Sequence, residues 1–304
     1  MSKPTLAGVL PVFQTPFLAD ESIDVATLEA EIDWLYGCGA DGIVMAMVSE
    51  VLRLGDAERR QLAELACRFG AGRGAVVISV GAESSKQAEE HARHAESCGA
   101  TALMAIPPVS TLVNEDELLR YYERIVQATP LPVVVQDASG YVGRPMSIAM
   151  QAGLLKQFGD DRILFKPEAT PIGPRLTALR EATGRRAKIF EGTGGIALVD
   201  SYRRGIVGTM PGADFVRAIV GLWKALQAGD DRRAYRLSLP VSSLVAMQNS
   251  LDAFLAIEKH LLVRQGVFRN TIVRGPVGYQ LDAETIAEVD RLFDLVTRAV
   301  EEPQ

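Results

Sequence analysis

The chain has 304 residues, of which 48% are hydrophobic and 23% are charged, and its formal net charge is −6. This length suits one large α/β domain or two smaller ones. Such mild acidity gives no electrostatic reason to expect nucleic acid or an anionic membrane as a partner. No apolar stretch approaches the roughly 20 residues needed to cross a bilayer.

The predicted strands and helices alternate through most of the chain, which favours parallel strands joined by crossover helices. The predicted strands are residues 8–14, 42–47, 75–81, 102–106, 132–136, 163–166, 188–191 and 206–210. The helices between them are predicted at residues 25–36, 56–69, 86–97, 115–127, 147–157, 175–183 and 196–204. Units of this kind close into a (β/α)₈ TIM barrel, whose reactive groups lie at the carboxyl ends of the strands.

Glycine recurs at three junctions where a helix ends and an apolar strand follows, at Gly39, Gly99 and Gly205. The competing architecture is an open, doubly wound sheet. That fold usually carries a glycine-rich phosphate loop after its first strand, whereas this chain continues with Thr15, Pro16 and Phe17.

From about residue 214 the predicted strands stop. Helices are predicted at residues 214–228, 232–249, 251–265 and 283–300, and nothing between them resembles a flexible linker. We therefore divide the chain into a barrel, residues 1–213, and a C-terminal helical extension packed on it, residues 214–304.

The first residues and the cysteines indicate the compartment. Residues 1–4 lead into a strand-like segment rather than a signal-peptide pattern. Cys38, Cys67 and Cys98 are odd in number and far apart, as expected of reduced packing residues in a cytoplasmic protein. His91 and His94 can share a ligand, but no third ligand is evident, so we predict no metal site.

Lys166 ends the sixth predicted strand, at the far end of a short apolar run. A charged side chain rarely ends a buried strand unless the charge is used. Burial favours the neutral amine, which can attack a ketone and form a Schiff base. The alternative is a lysine that reaches water or pairs with Glu168.

Several motifs along the chain resemble the Schiff-base lyases typified by dihydrodipicolinate synthase and N-acetylneuraminate lyase. The motifs are Gly8 through Thr15-Pro16-Phe17, Ser49-Glu50 with Leu54 and Glu58-Arg59, Pro107-Pro108, Leu131-Pro132 and Phe165-Lys166. The resemblance covers essentially the whole chain. It implies a TIM barrel in which Lys166 forms an imine with a small 2-oxo acid, without a cofactor or a metal, in a dimer or tetramer.

The segment after the second strand departs from the family pattern. Most members carry Gly-Thr-Thr-Gly-Glu there, and two hydroxyls hold the substrate carboxylate. The matching residues are Ala46, Met47, Val48, Ser49 and Glu50. Backbone N–H groups of this turn can still bind a carboxylate, and Ser49 adds one hydroxyl.

The family tyrosines are also missing. Most members end the fifth strand in Tyr-Asn, where this chain has Gln136-Asp137, and an amide can orient a substrate but cannot shuttle protons. A second family tyrosine corresponds to Val109, and the arginine that binds the second substrate of dihydrodipicolinate synthases falls near Tyr141. These losses argue against ordinary dihydrodipicolinate synthesis.

The Val-Gln-Asp and Phe-Lys-x-Glu patterns are instead similar to the branch containing L-2-keto-3-deoxyarabonate dehydratase. In that reaction the imine labilises C3–H, and the C4 hydroxyl leaves as water. We expect Glu168 or Glu191 to move the protons. Structural roles stay open for both, Glu168 as a surface partner of Arg175 and Glu191 as an acceptor for backbone amides.

Hydroxyl and amide groups on neighbouring loops are candidates for holding the rest of the substrate. Ser110 and Tyr141 can hydrogen-bond substrate hydroxyls, and the amides of Gly192 and Thr193 can cradle a hydroxylated substrate or form only a tight turn. The leading hypothesis is a dehydratase of a 2-oxo-3-deoxy sugar acid. The alternatives are an aldolase releasing pyruvate, a dihydrodipicolinate synthase-like enzyme, and a non-catalytic 2-oxo acid sensor.

Overall fold

The computed structural model describes residues 6–141 and 143–302, and within them eight strands alternate with helices. The strands are β1 Gly8–Val9, β2 Gly42–Val44, β3 Ala75–Ser79, β4 Ala102–Ala105, β5 Val133–Asp137, β6 Ile163–Pro167, β7 Phe190–Glu191 and β8 Gly208–Thr209. All the ladders between named strands are parallel.

The helices fall close to their predicted positions. Those that alternate with the strands are α1 Val25–Gly37, α2 Asp56–Gly70, α3 Ser85–Ser97, α4 Glu115–Ala128, α5 Ile148–Phe158, α6 Ile172–Ala182 and α7 Leu198–Arg203. Those that follow β8 are α8 Val216–Ala228, α9 Asp231–Val245, α10 Leu251–Arg264 and α11 Ala283–Glu301. Several begin at a side chain that accepts the N–H of the third helical residue, for example Asp24 at α1 and Ser84 at α3.

The strands form a closed barrel. Strands β2 to β6 pair in chain order, and β8 lies between β1 and β7. Single bridges join the two sheets, from Val12 to Val44 and from Phe165 to Ile189. The predicted (β/α)₈ barrel is therefore confirmed, and the open doubly wound alternative is wrong. The junction glycines Gly39, Gly99 and Gly205 all have positive φ, as predicted.

The first and eighth strands end earlier than predicted, and a proline near each end explains this. Pro11 and Pro211 have no N–H to give to a ladder, so regular pairing stops at Val9 and at Thr209. Beyond these prolines the two segments are joined again, because the N–H of Val12 donates to the carbonyl of Pro211 at 2.7 Å.

Alternating strand residues divide the core into two parts. One set points into the barrel and packs among itself: Leu10, Val12, Val44, Ala46, Ala75, Val77, Ala102, Met104, Val134, Leu164, Phe190 and Met210. The other set points outward and packs on the surrounding helices. This alternation is the two-residue period of a strand, and it fills the barrel below its mouth with side chains.

Helix α8 follows β8 and packs on β1 and on α9, which is the place of the eighth helix in the outer ring. The division of the chain at residue 213 stays a prediction, and this packing favours counting α8 with the barrel. Helix α10 packs against a short 3₁₀ helix, Met47–Ser49, at the mouth of the barrel. The extension therefore reaches the carboxyl ends of the strands.

The predicted lack of a signal peptide rests on residues 1–4, which lie outside the described residues. Within the described part of the chain, no helix combines the length and the apolar character needed to cross a bilayer.

Candidate active site

A cavity opens at the carboxyl ends of the strands, where a TIM barrel carries its reactive groups. Its lining residues are Val12, Ala46, Met47, Val48, Gln136, Tyr141, Lys166, Glu168, Gly192, Gly194, Met210, Pro211, Gly212 and Phe254. The cavity therefore contains several of the predicted site residues, but not Ser49, Ser110, Glu191 or Thr193.

Lys166, Glu168 and Gln136 form a hydrogen-bonded group in the wall of this cavity. Lys166 Nζ donates to Glu168 Oε1 at 2.8 Å, and Gln136 Nε2 donates to Glu168 Oε2 at 2.8 Å. The side chains of Lys166 and Glu168 are only 5% and 4% exposed. Both carboxylate oxygens of Glu168 are thus held by buried donors.

The strand geometry explains why these three side chains meet. Gln136 and Lys166 are directly paired across β5 and β6. Glu168 lies two residues beyond Lys166 on the same side of the chain, and its N–H still donates to the carbonyl of Asp137 at 3.0 Å. The ladder therefore extends past the proline at the end of β6 and aims the carboxyl group at the amine.

Burial raises the pKa of Glu168 above its ordinary value, and the charge of Glu191 adds to the effect. The charge of Lys166 and the hydrogen bonds from Lys166 and Gln136 act in the opposite direction. The suggested surface pairing of Glu168 with Arg175 is wrong. Arg175 instead lies 3.7 Å from Asp137 Oδ2 and donates to the carbonyl of Met146 at 2.6 Å.

Glu191 is buried beside the cavity, where other groups occupy its oxygens. Its Oε1 accepts the N–H of Thr193 at 2.6 Å and also the Thr193 hydroxyl. Its Oε2 accepts the Thr209 hydroxyl at 2.7 Å. The structure thus places Glu191 as an acceptor that holds the loop after β7. The N–H and hydroxyl of Thr193, a predicted substrate-binding residue, both donate to Glu191, and Thr193 does not line the cavity.

Gly192 lies against the lysine itself. A Cβ at this position would come 2.7 Å from Lys166 Cε and 2.9 Å from Glu168 Cγ. Both distances are shorter than carbon atoms tolerate without movement, so the absence of a side chain leaves the space that Lys166 and Glu168 occupy. The pattern Gly192-Thr193 had suggested an amide cradle, and the structure adds this steric role for the glycine.

The 3₁₀ helix after β2 brings Met47 and Val48 to the cavity wall. Within the described residues, the N–H groups of these two residues have no hydrogen-bond partner, as expected for the first positions of a helix. The expected role of the Ser49 hydroxyl requires correction. It donates to the carbonyl of Phe13 at 2.6 Å and accepts the N–H of Ala46 at 3.1 Å, so it holds the turn rather than facing the cavity.

Tyr141 and Ser110 differ in position. Tyr141 lines the cavity, and burial, followed by the charges of Glu168, Glu191 and Glu258, raises its pKa, so the phenol keeps its proton. Ser110 is exposed and donates its N–H to Glu83 at 3.1 Å, with its hydroxyl bound to the same carboxylate. The expectation that Ser110 contacts substrate is therefore corrected.

Phe254 was missed as a cavity residue. The sequence predicted its helix, α10, only as part of the C-terminal extension, yet Phe254 lines the cavity. No motif marks it, because its position depends on how α10 packs against the barrel mouth.

A buried ion pair fixes the same helix to the mouth. Lys259 Nζ contacts Glu50 and donates to the carbonyls of Thr15 at 2.9 Å and of Ile272 at 2.6 Å. Burial lowers the pKa of Lys259, and the charge of Glu50 opposes this shift. Glu50 directly follows the 3₁₀ helix, so the extension supports the turn that forms one wall of the cavity.

The protein is a closed (β/α)₈ barrel with a buried lysine and carboxyl group, Lys166 and Glu168, at the carboxyl ends of its strands. The model of the Dihydrodipicolinate synthetase family matches residues 5–294. The chain therefore belongs to the dihydrodipicolinate synthetase family.

Two curated relatives match nearly the full length. The chain is 27% identical over 308 residues to the L-2-keto-3-deoxyarabonate dehydratase of Azospirillum brasilense, covering 98% of each chain. It is 25% identical over 295 residues to the probable 2-dehydro-3-deoxy-D-pentonate aldolase YjhH of Escherichia coli, covering 96% of each.

Solved structures agree on the fold. YagE of Escherichia coli, a member of the dihydrodipicolinic acid synthase family crystallised with pyruvate, matches with a TM-score of 0.89 and 24% identity. That match covers 96% of this chain and 99% of YagE. A dihydrodipicolinate synthetase-like protein from Pseudomonas aeruginosa matches with a TM-score of 0.88 and 22% identity, covering 96% of this chain and all of the other.

Proposed function

We propose that this protein is a lyase that forms a Schiff base between Lys166 and a 2-oxo-3-deoxy sugar acid and then removes water from it. The observation that carries the proposal is the hydrogen bond from Lys166 Nζ to the buried Glu168, in the cavity at the mouth of a family barrel. The similarity to a full-length dehydratase relative supports the same reaction.

Imine formation requires a neutral amine and an acid. Because the pKa of Glu168 is raised, this carboxyl group can hold the proton that Lys166 must give up. The free amine attacks the C2 carbonyl carbon of the substrate. Glu168 then protonates the C2 hydroxyl of the carbinolamine, which leaves as water, and the protonated imine remains on Lys166.

The same carboxyl group can then carry out the elimination. The Glu168 carboxylate takes a proton from C3, and the electron pair moves into the imine to form an enamine. Glu168 next donates that proton to the C4 hydroxyl, which departs as water as the C3–C4 double bond forms. Hydrolysis of this unsaturated imine frees Lys166, and a pentonate product tautomerises to a 2-oxo acid semialdehyde.

Gln136 is proposed to hold Glu168 in place and to orient the imine. Its amide cannot carry protons, but Nε2 donates to Glu168 Oε2 at 2.8 Å. A single carboxyl group thereby takes the place of the tyrosine that is missing from this chain.

The substrate carboxylate is proposed to bind at the turn of Met47 and Val48. The two N–H groups there lack partners within the described residues, and the small Ala46 beside them leaves room. Tyr141 keeps its proton and so is proposed to donate to a substrate hydroxyl. Phe254 and Met210 add apolar surface to the cavity wall.

An aldolase is the second candidate, and the similarity to the YjhH aldolase favours it. The imine is common to both reactions, but an aldolase breaks C3–C4 instead of C4–O. Product analysis separates them. Incubation with C5 and C6 2-oxo-3-deoxy acids should yield a dehydrated semialdehyde, whereas release of pyruvate and an aldehyde would identify the aldolase.

Assembly and location complete the proposal. We expect a cytoplasmic homo-oligomer, a dimer or tetramer, as is usual for barrels of this family. Large apolar side chains stand on the surface, with Leu112 68% and Leu239 66% exposed, and burial against a second copy would remove them from water. Sedimentation of the purified chain tests the assembly.

A further inference from the structure

Three different metal-binding side chains meet on the outer ring of helices, away from the cavity. Glu64 lies on α2, His94 near the end of α3, and Cys98 directly after α3. Because α3 ends just before β4 begins, the group lies toward the amino ends of the strands. It therefore lies at the end of the barrel opposite the candidate active site.

The distances suit a tetrahedral metal. His94 Nε2 lies 3.5 Å from Cys98 Sγ and 3.3 Å from Glu64 Oε1. Zinc binds nitrogen and oxygen at about 2.0 Å and sulfur at about 2.3 Å, which separates tetrahedral ligand atoms by about 3.3 to 3.6 Å. The three ligand atoms all lie within 4.8 Å of one another, and the Glu64 side chain is 59% exposed and free to adjust.

The donor set selects the kind of metal. His94 and Cys98 are four residues apart, so both project from one face of the end of α3. Thiolate and imidazole ligands favour zinc and similar transition metals over magnesium or calcium. We propose that Glu64, His94 and Cys98 bind a divalent transition metal such as Zn²⁺, with water as the fourth ligand, and that the metal ties α2 to α3.

Metal binding must displace protons that the free protein holds. Without metal, His94 Nε2 lies 3.3 Å from the carbonyl of Arg60 and can donate its proton there. To bind metal the imidazole must carry its proton on Nδ1, and the Cys98 thiol must release its proton to solvent.

His91, which the sequence had paired with His94, does not take part. Its ring is buried, its Nε2 lies 3.4 Å from Asp56 Oδ1, and burial lowers its pKa to about 4. In the structure, His94 lies instead beside Cys98 and beside Glu64 of the neighbouring helix. The sequence had indicated only a packing role for Cys98.

Cobalt titration of the full chain tests the site, because a thiolate bound to Co²⁺ absorbs in the near ultraviolet. We expect one equivalent to produce this band and Zn²⁺ to remove it. Cys98→Ser and His94→Ala should abolish the band, and Glu64→Gln should weaken binding by more than about tenfold. Cys38→Ser is the control, since that thiol lies beside Arg217 rather than in the cluster.

Thermal unfolding gives a second measurement. Zn²⁺ should raise the unfolding midpoint of the wild type and of Cys38→Ser, should raise that of Glu64→Gln less, and should leave that of His94→Ala unchanged. The His94 side chain is partly exposed and the Glu64 side chain is exposed, so both variants should fold. Circular dichroism checks this. Absence of the cobalt band in the wild type, or an equal band in Cys98→Ser, would overturn the proposal.

Discussion

Lys166 lies on β6 and Glu168 follows the end of that strand, two residues further along the chain, and Glu168 Oε1 accepts a hydrogen bond from Lys166 Nζ at 2.8 Å inside the barrel mouth. The amine therefore has a partner that can take its proton without solvent. In the proposed mechanism, this contact supplies both the nucleophilic lysine and the proton carrier in a chain that lacks the family tyrosine.

Replacing Glu168 with Gln should reduce kcat for the sugar acid by about 10²- to 10⁴-fold, because the amide can neither accept nor donate the transferred protons. Single-turnover and steady-state kinetics measure the loss. Glu191→Gln is the matched comparison, since Glu191 accepts bonds from Thr193 and Thr209 and does not line the cavity. An equal loss of kcat in both variants would contradict the assignment of proton transfer to Glu168.

The raised pKa of Glu168 gives the activity a defined pH dependence. Loss of water from the carbinolamine needs the protonated carboxyl group, whereas proton removal from C3 needs the carboxylate. Imine formation, and with it kcat/KM, should therefore fall as the pH rises through this raised pKa. A pH–rate profile measures the effect. Glu168→Gln should lose this alkaline decline, and a profile with the same decline in the variant would assign the titration to another group.

Gly192→Ala should abolish imine formation while the fold survives. The added methyl group would lie 2.7 Å from Lys166 Cε and 2.9 Å from Glu168 Cγ, so the amine must move from its partner. Borohydride trapping with pyruvate measures the imine. Gly153→Ala is the control, because a Cβ there meets nothing within 4 Å, and it should be trapped like the wild type.

Breaking the ion pair between Lys259 and Glu50 should destabilise the protein. Both side chains are 0% exposed, so Lys259→Met leaves a buried carboxylate without its charge partner, at a cost of about 3–5 kcal/mol. Denaturant unfolding measures the change. The double variant Lys259→Met with Glu50→Gln should recover part of the loss, and no recovery would show that the lost charge balance is not the cause.

Titration of Glu31, a buried residue of α1, should lower the free energy of unfolding as the pH rises. Burial raises its pKa from 4.5 to about 8, so the folded state holds a proton that the unfolded state has released. The resulting stabilisation is complete below about pH 4.5 and declines up to about pH 8. Glu31→Gln cannot titrate, so its unfolding free energy should decline less over this range, and equal declines would contradict the shift.

The sequence predicted the barrel well because strand and helix periods differ strongly along the chain. Lys166 stood out as a charge at the end of an apolar run, an inference that needed only local geometry. Glu168 was one of two candidate proton carriers, with Glu191 as the other, and both followed from the reaction that the resemblance implied. The prolines that shorten β1 and β8 were visible too, but their effect on the ladders was not anticipated.

The positions of the remaining site residues depend on the course of the loops and on how α10 packs, and local sequence patterns do not determine either. Ser110 turns to Glu83, and Thr193 turns to Glu191, because neighbouring loops offer those carboxylates. Phe254 reaches the cavity only through the packing of α10 against the barrel mouth. Loop direction and helix docking are set by long-range contacts, and a single sequence does not reveal them.

Borohydride reduction in the presence of pyruvate tests the central claim most directly. Peptide mass analysis should find the added three-carbon acid on Lys166 in the wild type, and Lys166→Met should show neither the adduct nor turnover of a 2-oxo-3-deoxy acid. An unmodified Lys166 in the wild type, or full turnover by Lys166→Met, would contradict the account.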